Sequence, residues 1–262
     1  QDDPNAPVPP GCVTLVGAGP GDPELLTLRA VKALRGARLV LYDHLVSKEV
    51  LRYVAEDADL IYVGKESSHH TLPQEAIIDL MVRLARSGRS LVRLKGGDGF
   101  IFGRGGEEAQ ALAQAGIAFD VVPGITAAQG AGAYAGIPLT HRDHAATLVF
   151  ATGHLRGESD VALDWELLAR PRQTVVIYMG IGTLPIICAE LQRHGLPGDT
   201  PAALVEKATL PTQRCITGTL QELPALAQQH RVRPPALIVI GGVVALQPQL
   251  MQGMRSMAHW MD

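Results

Sequence analysis

The chain has 262 residues, of which 47% are hydrophobic and 19% charged, with a formal net charge of −3. This supports one large or two modest globular domains and excludes disordered and fibrous classes, as well as a nucleic-acid partner gripped through a broadly basic surface. Three isolated cysteines, Cys12, Cys188 and Cys215, show no CxxC or Cys/His spacing, so neither a disulfide framework nor a structural zinc site is indicated and a reducing cytoplasm is expected.

Residues 1–11, QDDPNAPVPPG, are polar and proline-rich, without the basic start and apolar centre of a signal peptide. They read as a flexible tail whose first Gln is what trimming of an initiator segment would leave. No stretch nears the ~18 continuous apolar residues of a membrane span. Strand-like runs then alternate with helical spacing. CVTLV leads to the helical PELLTLRAVKALRGA; ARLVLY and DLIYV precede PQEAIIDLMVRLARSG; SLVRL precedes GGEEAQALAQAG; FDVV closes the series. This order predicts α/β architecture with a largely parallel sheet. Pro23 and Pro73 suit first helical turns, and Gly36, Gly88 and Gly116 suit helix ends. The turn-rich GIPLTHRD places a domain boundary near residues 140–146, giving domains 12–142 and 143–262. In the second, TLVFA, TVVIY, PAALV and PALIVI read as strands, and AALVEKATLPTQRCITGTL reads as an antiparallel pair that makes the sheet mixed. Two such domains are expected to enclose a ligand cleft.

VTLVGAGPGD has the look of a dinucleotide fingerprint, with Asp43 about where a ribose-binding acid would stand. Its third glycine position is Asp22, however, and Pro20 removes an amide that pyrophosphate would need. An NAD-type site stays as an alternative. The more informative segment is VRLKGGDGFIFGRGGEE, a strand ending in Lys95, a loop with six glycines, and a helix begun by paired acids. Glycines let main chain approach a ligand, and a helix start offers free N–H groups.

VGAGPGDPELLTLRA, VRLKGGDGFIFGRGGEEA, VVPGITAAQGAGAYAGIPLTHRD and TVVIYMG, in that order, resemble the uroporphyrinogen-III C-methyltransferases of the tetrapyrrole methylase family. The resemblance implies two α/β domains of the class III methyltransferase type, S-adenosylmethionine in the cleft between them, S-adenosylhomocysteine as product, and a homodimer. It implies methylation of uroporphyrinogen III at C2 and C7 to precorrin-2, on the way to sirohaem, cobalamin or haem d1. With no dehydrogenase/chelatase region, the chain reads as a stand-alone methylase. Alternatives are a later precorrin methylase and a non-catalytic tetrapyrrole-binding protein.

Cofactor contacts carried over on matching motifs are Pro20, Gly96, Gly97, Asp98, Ile101, Thr126, Ala127, Met179 and Ala208. The octacarboxylate substrate calls for cations and a proton acceptor. Arg104 and Arg142 are the expected carboxylate clamps, and His154 and Arg156 either line the substrate mouth or belong to a plain surface loop; the resemblance implies Asp43 as proton acceptor and Lys65 as donor. Glu107 either positions Arg104 through an ion pair or shuttles a proton, whereas Glu108 is expected only to complement the helix dipole. Lys95 either touches a ligand or caps its strand, and Met179 is otherwise a core filler. His69, His70, His141 and His144 read as loop histidines, and no metal is expected. Two positions depart from the family pattern: Gly99 stands where proline is usual, and Ala208 where glycine is usual.

Overall fold

The computed structural model describes residues 6–64, 72–153 and 163–255. The chain packs as two units, Gln1–Thr126 and Ala127–Asp262, so it passes from one to the other upstream of the turn-rich 140–146 segment. No helix among the described residues is long and apolar enough to cross a membrane.

The first unit runs β1 (Val13–Gly17), α1 (Leu28–Arg35), β2 (Leu39–Tyr42), α2 (Lys48–Leu51), β3 (Asp59–Tyr62), α3 (Gln74–Arg86), β4 (Leu91–Lys95), α4 (Gly105–Gln114) and β5 (Phe119–Val122). Its five strands are all parallel, in the order β3-β2-β4-β1-β5. The pleat sorts side chains to two buried faces. Val13, Leu15, Leu39, Leu41 and Leu91 pack with Ile77, Met81 and Leu112 of α3 and α4. Val16, Val40, Val92 and Leu94 pack with Ala30, Leu34 and Val50 of α1 and α2. Strands covered on both faces read as continuous apolar runs, which is why they are legible in the sequence.

The helix expected from Pro23 is interrupted. Asp22 caps a single 3-10 turn, Pro23–Leu25, by accepting the Glu24 N–H at 2.9 Å. Leu26 and Thr27 are extended, and the Thr27 hydroxyl accepts the Ala30 N–H at 3.0 Å to start α1. Two capping residues in series thus divide one periodic stretch. At the other end of the sequence expectation, Gly11 is buried and donates to the Ala85 carbonyl at 2.7 Å, so the chain is already docked on the end of α3 before β1 begins.

The second unit runs α5 (Ala127–Ala135), β6 (Thr147–Thr152), α6 (Trp165–Leu168), β7 (Gln173–Tyr178), α7 (Leu184–Arg193), β8 (Pro201–Glu206), β9 (Arg214–Thr219), α8 (Leu223–Gln229), β10 (Ala236–Ile240) and α9 (Gln247–Gly253). Its sheet is mixed, in the order β6-β7-β10-β8-β9: β6 and β7 are parallel, and β10 runs antiparallel to both β7 and β8. The β8–β9 pair is the antiparallel one expected from sequence. Val175, Ile177, Leu204 and Ile238 face Leu184, Ile187, Leu191 and Leu223 in the main core.

All three cysteines are free. Burial pushes the Cys188 thiol up to about 12 and the Cys215 thiol up to about 11, whereas Cys12 is exposed beside the Ser90 hydroxyl. Thiolate, not thiol, reacts with maleimide. Native protein is therefore expected to lose only Cys12 to rapid labelling at about pH 7.5, and all three thiols after denaturation, read by intact mass. Rapid native labelling of Cys188 or Cys215 would contradict the packing.

Candidate functional site

The parallel sheet of the first unit gathers Pro20, Asp43, Gly96–Asp98 and Thr126 beyond its carboxyl edge, the edge at which open α/β sheets present ligand-binding loops. There β1 and β4 hand over to loops that pair with each other. Gly19 donates to the Gly97 carbonyl at 3.1 Å, Gly97 donates to the Gly19 carbonyl at 2.7 Å, and Ala18 donates to the Lys95 carbonyl at 2.7 Å. Backbone lies on backbone here: a Cβ on Gly17 would stand 2.7 Å from Gly124 N, and one on Gly124 would stand 2.3 Å from the Gly97 carbonyl oxygen. Asp98 fastens the arrangement, its Oδ1 accepting the Gly124 N–H at 2.9 Å and its Oδ2 accepting the Phe100 N–H at 3.1 Å. The loop closes where Gly105 N donates to the Gly99 carbonyl at 2.9 Å. Pro20, Gly96, Gly97, Asp98 and Ile101 keep part of their surface exposed, so their main chain can still meet a ligand.

Arg104 starts α4 in the left-handed region, φ 58°, and Phe102 precedes it at φ 52°. The Arg104 guanidinium forks onto Glu107, Nη2 to Oε2 at 2.9 Å and Nε to Oε1 at 3.4 Å, with both side chains more than half exposed. Glu108 corrects the sequence reading. Rather than merely facing the helix dipole, it is fully buried, and its Oε1 accepts Arg93 Nε at 3.0 Å. The Lys95 ammonium lies 3.0–3.1 Å from both its oxygens. Arg93 and Lys95 alternate with Leu91 and so point to the face that α4 covers. Burial and the adjacent Arg93 lower the Lys95 pKa from its ordinary value, against the pull of Glu108 and Asp43. Asp43 follows β2, and its Oδ1 accepts the Leu45 N–H at 2.9 Å.

In the second unit β6, β7 and β8 end at a common edge, since Thr152 pairs with Tyr178, and Ile238 lies between Ile177 and Leu204. The start of α5 is fixed to this edge because the Tyr178 hydroxyl accepts the Ala128 N–H at 3.2 Å. Met179, the residue after that tyrosine, is 52% exposed at φ 54° and therefore does not fill the core. Ala208 follows β8 and is buried. The freedom that glycine would supply is met by its neighbours, Lys207 at φ 52° and Thr209 at φ 67°. A β-branched residue in this region is strained by about 1–3 kcal/mol. Glu206 anchors the turn, accepting a fork from Arg214 at 2.9 and 3.0 Å and the Arg233 N–H at 2.8 Å; the Arg214 bond holds its carboxyl below the usual range.

Arg142 is not grouped with these residues. It is exposed in a turn closed by the His141–Ala145 bridge, ahead of β6, and the next residue but one after that turn bonds the Arg172 carbonyl ahead of β7, so this is the opposite sheet edge from Met179. Lys65, His154, Arg156, His69 and His70 lie outside the described residues. Sequence reasoning missed the Arg93–Glu108–Lys95 cluster, the Asp98 fastening and the Tyr178 anchor. The first had a signal: two cations at alternate positions of an otherwise apolar strand.

The two glycine environments predict opposite outcomes. Gly99 lies outside the left-handed region and its Cβ would meet Lys95 Cδ at an ordinary 3.4 Å, so Gly99→Ala should stabilise by about 0.4–1 kcal/mol through the unfolded chain. Gly124→Ala would drive a Cβ into the Gly97 carbonyl and should cost on the order of 3 kcal/mol. Denaturant titration of both checks this; equal effects would refute the contrast.

The family model of Tetrapyrrole (Corrin/Porphyrin) Methylases matches residues 12–224. The chain is 55% identical over 242 residues to a siroheme synthase of Nitrosomonas europaea, covering 92% of this chain and 51% of that protein, so it spans about half the length of such curated relatives. Among solved structures, uroporphyrin-III C-methyl transferase from Thermus thermophilus, complexed with S-adenyl homocysteine, matches with TM-score 0.77 at 42% identity, covering 90% of this chain and all of that one. A cobalt precorrin-4 methyltransferase matches with TM-score 0.78 at 27% identity, covering 88% and 95%. Over most of its length, then, the chain belongs to the tetrapyrrole (corrin/porphyrin) methylase family.

Proposed function

We propose that the chain is an S-adenosylmethionine-dependent C-methyltransferase that methylates uroporphyrinogen III at C2 and C7 to give precorrin-2. The observation that carries this reading is the glycine-built carboxyl edge with Arg104 and Asp43 beside it, in a chain 42% identical to a uroporphyrin-III C-methyl transferase that binds S-adenyl homocysteine. The lower identity to a precorrin-4 methyltransferase, 27%, favours the first-step substrate over a later corrinoid. A homodimer in the cytoplasm completes the proposal, supported by the family resemblance and by three free thiols.

The residues fit the cofactor in kind. Pro20, Gly96, Gly97, Asp98 and Ile101 offer accessible main chain, and Thr126, Ala127, Met179 and Ala208 are the proposed partners from the following segments. Asp98 contributes through the loop it builds, since both its oxygens already accept backbone N–H groups. When bound, S-adenosylmethionine supplies a methyl already activated on a sulfonium, which leaves the protein to position rather than to protonate. Arg104 takes a substrate carboxylate in a bidentate fork. Its pair with Glu107 is exposed and worth only about 0–1 kcal/mol, so the guanidinium is easily handed over. His154 and Arg156 are the proposed contacts for further carboxylates; Arg142, at the opposite edge of the second sheet from Met179, is not among them. After methylation the product must lose one proton, and Asp43 Oδ2, which has no hydrogen-bond partner among the described residues, receives it.

Incubation of uroporphyrinogen III with labelled S-adenosylmethionine should yield S-adenosylhomocysteine and a product heavier by two methyl groups. Turnover of precorrin-2 but not of uroporphyrinogen III would instead favour the later methylase, and no turnover of either would favour a binding protein. Arg104→Ala should lower methyl transfer by about 100-fold while leaving S-adenosylhomocysteine affinity within about threefold, because its partner is the substrate. Equal loss of cofactor binding, measured by calorimetry, would refute that role.

A further inference from the structure

The chain leaves β7 through Tyr178, Met179 and Gly180, and a 3-10 turn, Ile181–Thr183, carries it into α7. Met179 sits in this stretch in a backbone conformation that its residue type rarely adopts, and it is half-exposed rather than packed on the core beneath. Such strain persists only where the surroundings over-determine it. Hydrogen bonds on either side do so here. The Tyr178 carbonyl accepts the Gly153 N–H at 2.7 Å and the Gly180 carbonyl accepts the Thr183 N–H at 3.1 Å, so the carbonyls of both neighbours of Met179 are fixed. The Thr183 hydroxyl donates to the Gly153 carbonyl at 3.1 Å, with the Gly180 carbonyl 3.3 Å from the same oxygen. One hydroxyl thus ties the end of β6 to the turn beyond β7, across a contact where a Cβ on Gly153 would stand 2.6 Å from the Gly180 Cα.

Thr183 occupies the N-cap of α7, where a threonine oxygen ordinarily accepts an N–H of the first turn, yet it makes no such bond. Its side chain is buried, and its proton goes to Gly153 and Gly180 instead. The helix has Pro185 in that first turn, which carries no N–H to satisfy. Capping therefore does not account for the hydroxyl, and the turn at Met179 does. We propose that Thr183 is a positioning residue that acts through Met179: its hydroxyl keeps Tyr178–Gly180 in the left-handed turn that presents the Met179 side chain to the cofactor. The proposal rests on the methyltransferase reading above, in which Met179 is a cofactor contact.

Variants of the full chain test this, with the S-adenosylhomocysteine Kd, the KM for uroporphyrinogen III and the thermal midpoint measured for Thr183→Val, Thr183→Ser, Met179→Gly and the double variant Thr183→Val with Met179→Gly. Thr183→Val keeps the shape and removes the hydroxyl; if it does not fold, Thr183→Ala takes its place. The expected result for Thr183→Val is a Kd raised about tenfold with KM within about twofold, and Thr183→Ser, which retains the donor, should recover most of the affinity. Glycine enters the left-handed region without strain and has no side chain to present. In the Met179→Gly background, itself about tenfold weaker, removal of the hydroxyl should therefore change Kd by less than about twofold. An unchanged Kd in Thr183→Val, whatever its thermal midpoint, Thr183→Ser as impaired as Thr183→Val, or losses that multiply in the double variant would overturn the proposal. A Met179→Gly variant with the parental Kd would sink the role given to Met179 and the proposal with it, whereas no methylation of uroporphyrinogen III by the parent chain would sink the functional reading.

Discussion

The first unit depends on main chains touching without side chains between them. Strands in a sheet run ~4.8 Å apart, and the loops leaving β1, β4 and β5 come closer than that allows any Cβ to stand. Contact this tight removes the usual slack of glycine-rich loops, whose entropy would otherwise oppose order. Everything else at the edge follows from it. The paired Gly19 and Gly97 set the direction of Pro20 and of the residues after Gly97, and Asp98 can reach Gly124 only because the two backbones already meet. A loop that reads as flexible is in this way made rigid by what it lacks.

The second constraint at this edge is electrostatic. A hydrophobic face accepts an arginine and a lysine because one glutamate meets both at about 3 Å, and that shared contact fixes α4 to β4 at the point where the helix presents Arg104. The exposed Arg104–Glu107 pair and the buried Glu108 pair lie on successive residues yet behave oppositely. One is screened and exchangeable, and the other holds its partners. Adjacent acids in a sequence give no hint of this division, because it is set by which face of the helix each occupies.

Legibility followed the same division between local and distant causes. The strands of both sheets were readable from continuous apolar runs, and the β8–β9 pair from its short connection, since these signals lie within a few residues. The break before α1 was not, because periodicity across 23–35 is uninterrupted while Asp22 and Thr27 each offer a cap. Helix α5, AAQGAGAYA, gives little periodic signal, being built of small residues that allow close packing. At the site, glycine and charge patterns named the loops, but the contact of Glu108 with residues thirteen and fifteen positions earlier is a product of the fold. The left-handed backbone at Met179, Lys207 and Thr209 was equally hidden, since none of these residue types announces it.

The turn after β8 joins two things usually kept apart, a strained backbone and a titrating anchor. Glu206 is ionised below the usual carboxylate range because Arg214 and the Arg233 amide bind its charged form. Its share of stability is full above the unfolded carboxylate pKa and disappears as pH falls through the lowered folded value. Acid therefore unfastens one particular corner of the second sheet, the one where Lys207 and Thr209 store their strain around Ala208, while the apolar core behind it is indifferent to protons. Loss of order there under acid would be local and released by a single carboxylate, a softening of the edge rather than a melting of the domain.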